Sequence, residues 1–584
     1  MQRLAPAALA LPLFMVLPSA QAVEPGGPGR VISSQEAVGI LARDKFALWS
    51  DPQSGYWQTA QKTLGKVYSD RHNQPIWVNS DGLNNRALAA IHEIEKAADY
   101  GLDRKDFSLP DTGKGDIPYS VDKLARIEVQ VTAAVLRYAH HAKGGRLKPT
   151  ELSPYLDRAP RPPSPEEVLV GIAASDDAAA FLRKLHPQHK QFQALRRKYL
   201  ALLSKDHGNR NVHLPSGPAL KIGMRHPQVA LLRKRLGVPL LDNHHGVSQS
   251  DPELFDQRLA KAVVEFQKNR GLKTDGIVGN RTRGFLNVSD SEKAQRILVN
   301  MERWRWMPDA LGNLYVWANI PEFRVRVMQK GHPIHSERLV AGKVQNQTPI
   351  FSDEMERIEF HPYWNVPDSI KVKEILPSLR HSTRILRRQN LRIKYRGREI
   401  NPAAVDWNRV DVRRFHFYQP PGGRNALGFV KFMFPNKHAV YMHDTPTKHL
   451  FSRSVRAFSH GCMRIRNPRK LAEVLLRLDK GWSPAKVGRV IAAGVHRPVQ
   501  LNEKIPVHIT YFTARVTEDG KLTTFGDYYG HDRLIGMALN GKTLRVAYGA
   551  ESTNGRRQRR QASVNSSGGS ATSRWAREAF GSRN

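Results

Sequence analysis

Residues 441–467 read YMHDTPTKHLFSRSVRAFSHGCMRIRN, and the rest of the chain is organised around them. Ser459-His460-Gly461-Cys462 stands nineteen residues after His443, and Cys462 is the only cysteine of 584 residues. A lone thiol in an exported chain has no internal disulfide to form, so its reactivity becomes the question. The stretch holds the parts of nucleophilic catalysis: a thiol, a candidate base in His443, and a tight glycine turn whose N–H groups can face an oxyanion. Gly461 permits a close backbone approach beside Cys462 that a side chain would block.

This spacing and the SHGC core resemble the L,D-transpeptidases of bacterial cell walls, the YkuD-type catalytic domain. The resemblance extends to Trp304 and its neighbours Asn300-Met301-Glu302-Arg303 and Arg305-Trp306-Met307-Pro308. It includes Thr348-Pro349-Ile350-Phe351, Pro362-Tyr363-Trp364-Asn365-Val366-Pro367, and Asn425-Ala426-Leu427-Gly428 with the strand-like Phe429-Val430-Lys431-Phe432 after it. Trp317 departs from the family, which more often has a smaller aliphatic residue there. The resemblance implies that Cys462 is the nucleophile and His443 the base, with the other ring nitrogen of His443 held by the backbone carbonyl of Asp444. It makes Gly461, His460 and Ser459 oxyanion or supporting residues, and Arg464 and Asn467 candidates for substrate binding. Arg464 suits a stem carboxylate taken bidentately; Asn467, before Pro468, is as well suited to a turn. No metal or cofactor is implied. The implied reaction joins two peptidoglycan stem peptides at their third residues through a thioester, with carbapenems as inhibitors. Carboxypeptidase action, exchange and attachment of a protein to the wall use the same site, and so remain open.

Working outward, the expected fold class is α+β and multidomain. The expected parts are a helical scaffold, a three-helix peptidoglycan-binding module and a mainly β catalytic domain with a capping insertion. The catalytic domain is expected over 295–545. Leu314 to Ile320 and Phe323-Arg324-Val325-Arg326-Val327 alternate as strands, and 506–514 resembles the family's closing strand. Residues 365–420, rich in Lys and Arg, read as helical sequence between strands; by resemblance they form the capping insertion.

Residues 217–288 carry apolar positions at helical spacing: Val229, Leu232 and Leu236, then Leu259, Val263 and Phe266. With Leu220-Lys221-Ile222-Gly223 before them and Asp275-Gly276-Ile277-Val278-Gly279 after, the order resembles a peptidoglycan-binding module. Residues 238–255 are an extra loop in it, and His244 and His245 there lack the spacing of a zinc site. Residues 36–210 read as the helical scaffold. Within it 122–142 is a clear helix, with Leu124, Ile127, Val131, Val135 and Tyr138 three and four apart and Gly144-Gly145 as its stop. Pro75-Ile76-Trp77-Val78, Gly101-Leu102-Asp103 and Gly145-Arg146-Leu147-Lys148-Pro149 resemble the scaffold of the large Gram-negative members.

The ends carry different signals. Residues 1–22 read as a secretory signal, with Arg3, an apolar run and Ala20-Gln21-Ala22, so the expected location is the periplasm. Residues 23–35 read as a flexible linker. Residues 549–584, with seven Arg against two Glu, read as a disordered basic tail suited to anionic lipid or wall polymer. The net charge of +38 favours polyanions. Its spread along the whole chain, together with export, argues against nucleic acid. A papain-like peptidase is disfavoured because those enzymes place Cys before His. A non-catalytic wall-binding protein is disfavoured by the intact His443 and SHGC.

Overall fold

A computed structural model describes residues 33–49, 55–111, 119–204, 212–240, 251–270 and 272–542. The stretches read as a secretory signal and a basic tail, and residues His244 and His245, lie outside these residues. All described residues belong to one unit.

The scaffold is helical. Its first helix, Ser34–Trp49, begins inside the stretch read as linker. The reason is local: Ser33 and Glu36 form a reciprocal cap, Glu36 N–H donating to Ser33 Oγ (3.1 Å) and Ser33 N–H to Glu36 Oε2 (3.0 Å). The central helix, Val121–Gly144, starts on the Ser120 side chain and stops at Gly145, whose φ is +88°. Its expected apolar face is buried, and with it one charge. Glu128, fully buried, accepts from the backbone N–H of Ile76 (2.6 Å) and Trp77 (2.9 Å) and from the Tyr68 hydroxyl. A buried carboxylate is tolerable only with such partners, and these fasten the Pro75-Ile76-Trp77 segment to the helix.

A second buried carboxylate joins scaffold to catalytic domain. Glu302, on the helix Asp290–Arg305, accepts from Arg146 N–H (2.7 Å) and Leu147 N–H (3.1 Å). A Cβ on Gly145 would lie 2.6 Å from Glu302 Oε1, so the glycine is required for this approach. Two sequence motifs 155 residues apart thus meet at one contact. Trp317, the departure from the family pattern, stacks on Trp304 and Phe512 with ring centres 5.7 Å from each. It fills the space between strand and helix rather than disturbing the strand.

The three-helix module comprises the helices Pro227–Leu236, Gln257–Asn269 and Asn280–Leu286 around Leu220, Val229, Leu232, Leu259, Val263 and Val278. The buried Gln267 carboxamide accepts from Gly276 N–H (2.9 Å) and donates to the Ile277 carbonyl (2.9 Å), which shapes the Asp275-Gly276-Ile277 turn.

The catalytic domain is a nine-stranded sheet. Its order is Ala457–Ser459, His332–Gly342, Met463–Ile465, Met442–His443, Val430–Met433, Ser352–Phe360, Arg497–Thr510, Leu314–Asn319 and Arg324–Gln329. The last of these also pairs with His332–Gly342, so the hydrogen-bonded order returns to its start. Residues 365–420 are helical in part, over 368–379 and Arg384–Arg388, and carry strands besides. Three of the four strands of a small sheet lie largely within them, Arg392–Tyr395, Arg398–Glu399 and His416–Gln419, and the fourth is Trp364–Asn365. Ile393 and Tyr395 alternate with Arg392 and Lys394. Arg396 and Gly397 both take positive φ (+48° and +82°), which makes a tight hairpin turn. Val366, Ile375, Leu379, Trp407 and Phe417 give this insertion its own core. Among the described residues no helix is long and apolar enough to cross a membrane.

Candidate active site

One strand pairing sets the backbone that follows Cys462 beside the backbone of His443. Met442–His443 runs parallel to Met463–Ile465, with Met442 opposite Met463 and His443 opposite Arg464. Side chains alternate along strands, so Met442 and Met463, both fully buried, point into the core. Tyr441, His443, Cys462 and Arg464 therefore share the opposite face. The strand partner of His443, Arg464, lies two residues after Cys462.

The imidazole is fixed by the contact the family resemblance implies: His443 Nδ1 hydrogen-bonds the Asp444 carbonyl oxygen. An N–H can donate there only from Nδ1, which leaves Nε2 as the free base. His443 is buried (5 % exposed), and its pKa is pushed down to about 3. Burial is the main cause, followed by the nearby Arg464 cation; Lys431 and Lys448 add to it, against the Asp444 contact. The Asp444 side chain has a separate task. It accepts from Phe429 N–H (3.1 Å) and pairs with Lys448, and a Cβ on Gly428 would lie 2.1 Å from it.

Cys462 is partly exposed. Burial of its surroundings raises the thiol pKa, while contacts with Tyr441 and the charges of Lys431 and Arg464 work the other way. Its Sγ donates to the Ala439 carbonyl at 3.8 Å, a long contact. At neutral pH the pair therefore rests as thiol and neutral imidazole, not as an ion pair.

The SHGC turn is held from both sides. Ser459 Oγ donates to the Cys462 carbonyl (2.6 Å) and accepts from Gly461 N–H (3.2 Å). The Gly461 carbonyl accepts from Thr348 Oγ (2.7 Å), which also accepts from Gly342 N–H (2.9 Å). Gly461 has φ +118°, a conformation L side chains rarely adopt. His460 does not face the core; its Nε2 lies 2.6 Å from Glu374 of the insertion. Arg464 donates to Thr447 Oγ (3.0 Å), and its buried Nε has no partner. Asn467 caps the helix Pro468–Lys480, its side chain accepting from Lys470 N–H (3.4 Å).

Sequence reasoning missed several neighbours of the thiol. Tyr441 is half-buried, and its phenol pKa is held well above the usual range by desolvation and then by Cys462. Its ring carries Lys431 Nζ at 4.5 Å. Position 441, one strand period before His443, was the available signal. Thr348 lies in a motif that carried the family resemblance, though its bond to Gly461 was not legible there; Ala439 and Glu374 have no such signal, because each reaches the site by tertiary contact.

Three family models match this chain: a scaffold domain over 62–198, a "Putative peptidoglycan binding domain" over 225–286, and an L,D-transpeptidase catalytic domain over 313–491. The chain thus carries regions matching a scaffold domain, a peptidoglycan-binding domain and a YkuD catalytic domain, a layout consistent with an L,D-transpeptidase-type protein. A protein of Haemophilus influenzae named "Putative L,D-transpeptidase" is 30% identical over 250 residues, 43% of this chain and 50% of the relative. The matched region spans half the length of that curated relative. Solved structures that resemble it weakly include an L,D-transpeptidase from Xylanimonas cellulosilytica (14% identity, 51% of this chain and 99% of that one, TM-score 0.16). Another is an L,D-transpeptidase from Mycobacterium smegmatis (12% identity, 34% and 58%, TM-score 0.17). At these scores neither overlay bears on fold or function.

Proposed function

We propose that the chain is a periplasmic acyltransferase that cross-links peptidoglycan stems at their third residues. The observation that carries this is the shared face of His443 and Cys462 within the matched catalytic domain. Because both groups rest neutral, attack and proton transfer are coupled. Cys462 Sγ bonds to the carbonyl carbon of the third stem residue as its proton passes to His443 Nε2. The C–N bond to the terminal D-alanine breaks, and the imidazolium returns the proton to the leaving amine. The thioester is then attacked by the side-chain amine of a second stem, which gives its proton to the same nitrogen and restores the thiol. Cys462 N–H is the proposed oxyanion donor. Gly461 N–H joins it by giving up Ser459 Oγ. Arg464, with one nitrogen unengaged, is proposed to take a stem carboxylate. His460 supports the loop through Glu374.

The boundaries given above for the scaffold, module, catalytic domain and insertion are part of this proposal. So are the cleaved secretory signal over residues 1–22, and anionic lipid or wall polymer as the partner of the basic tail. The test is mass spectrometry of purified tetrapeptide muropeptides incubated with the enzyme. Dimers joined between third residues are expected from wild type and none from Cys462→Ala. Trimmed stems alone would assign a carboxypeptidase. Equal products from both proteins would overturn the cysteine mechanism.

A further inference from the structure

The thiol's acceptor sits on a turn that is held from another domain. In residues 436–440 the Asn436 side chain accepts from His438 N–H and Val440 N–H (3.1 Å each) and donates to the Val440 carbonyl (2.7 Å). Ala439 has φ +52°, an uncommon conformation for a residue with a Cβ, and its carbonyl takes the Cys462 thiol. Such a conformation persists where its surroundings over-determine it. Two neighbours of Ala439 supply that constraint: Lys437 Nζ and His438 Nε2 each lie 2.8 Å from one oxygen of Asp157.

Asp157 belongs to a short segment that follows the scaffold helix Pro149–Leu152 and is built into the catalytic core. Leu156, 1 % exposed, pairs with Ile350 and packs in the catalytic core. Arg158 is buried and donates to the carbonyls of Phe351 (3.1 Å) and Ile509 (2.8 Å). With both neighbours anchored, the Asp157 carboxylate has a fixed place from which to hold the turn.

We infer that Asp157, from the scaffold side, is a positioning residue for the Cys462 thiol, acting through Lys437 and His438 on the Ala439 carbonyl. This rests on the reading of Cys462 as nucleophile. A hydrogen bond to the neutral thiol favours the neutral form, so releasing the carbonyl eases ionisation and loosens Sγ at once. The segment is thereby more than a domain contact: it aims the sulfur and adds to the effect of burial in favouring the neutral thiol.

The test is alkylation of the full chain by iodoacetamide as a function of pH, which needs no wall substrate. In Asp157→Ala the midpoint of the alkylation profile is expected to move down by at least half a pH unit, while acyl transfer to a stem peptide falls about 10-fold or more. His438→Ala is expected to do the same from the other side, and the double variant to be no worse than either single one. Asp157→Asn, which keeps the acceptor oxygen but not the charge, is expected between the two. An unchanged alkylation profile in both Asp157→Ala and His438→Ala would overturn the inference, even if thermal stability drops. Loss of stem transfer in wild type with the alkylation shift intact would instead overturn the proposed reaction and leave the positioning role standing.

Discussion

Replacing Thr348 by valine removes one oxygen atom from beneath the catalytic turn and keeps the side chain's shape. Thr348 is fully buried, and its hydroxyl links Gly461 O (2.7 Å) to Gly342 N–H (2.9 Å). Valine leaves both groups without that partner, in a place water does not reach. Each unsatisfied buried group costs about 1–3 kcal/mol, so the loss is roughly 2–6 kcal/mol, reduced if the turn relaxes. For a domain of this size that is a thermal midpoint lower by roughly 5–15 °C. The Gly342 carbonyl keeps its bond from Tyr529 (2.6 Å), so damage falls on the Gly461 side, next to the nucleophile. The assay is thermal unfolding followed by tryptophan fluorescence, with iodoacetamide alkylation of Cys462 on the same samples. Thr348→Ser, which keeps the hydroxyl, is expected within about 1.5 kcal/mol of wild type. A valine variant as stable as wild type, with an unchanged alkylation rate, would refute the claim that this hydroxyl supports the turn.

Other expectations follow from the same geometry. Iodoacetamide alkylation of wild type should rise with a midpoint above the ordinary thiol range, because burial raises the Cys462 pKa; a midpoint below 7 would contradict the neutral resting pair. His443 and His531 are both buried with pKa pushed down to about 3, so below the unfolded value near 6.5 the unfolded chain binds protons that the folded chain refuses. Their contribution is full above pH 6.5 and is lost as the pH falls toward 3, by up to about 1.4 kcal/mol per pH unit for each. Melting curves from pH 7.5 to 4.5 check this, and His443→Gln should flatten the slope. Gly461→Ala should cost about 1–3 kcal/mol through the backbone alone, since its Cβ would find the nearest heavy atom 3.7 Å away. Stem transfer should fall with it, and full activity would argue against a demanding turn. His460→Ala should leave stability within about 1 kcal/mol, as its pair with Glu374 is largely exposed. A larger loss would show that the loop depends on the insertion for its fold.

Much of this protein is legible in one dimension because the relevant physics is local. Helical spacing from Leu124 to Tyr138 marks a buried face wherever the helix ends up. The SHGC turn needs glycine for its backbone angle, and the histidine before it lies on a strand too short to misplace. Reading 365–420 as helical holds over 368–379 and 384–388 but misses the hairpin at 392–399, because Lys and Arg suit a helix surface as well as a strand; the Arg396-Gly397 turn carried the distinction. What remained hidden is of another kind. Ala439, Glu374 and Asp157 carry no pattern of their own, and the motif that holds Thr348 does not reveal its role; each matters through a partner far along the chain. The protonation state at rest is equally non-local. Burial disfavours the charged form of both the imidazole and the thiol, and burial is a property of the packed molecule. Residue type and spacing thus determined which chemistry is present; the close packing of distant segments decided how those groups are held and charged, because desolvation and hydrogen-bond geometry exist only once the chain has folded.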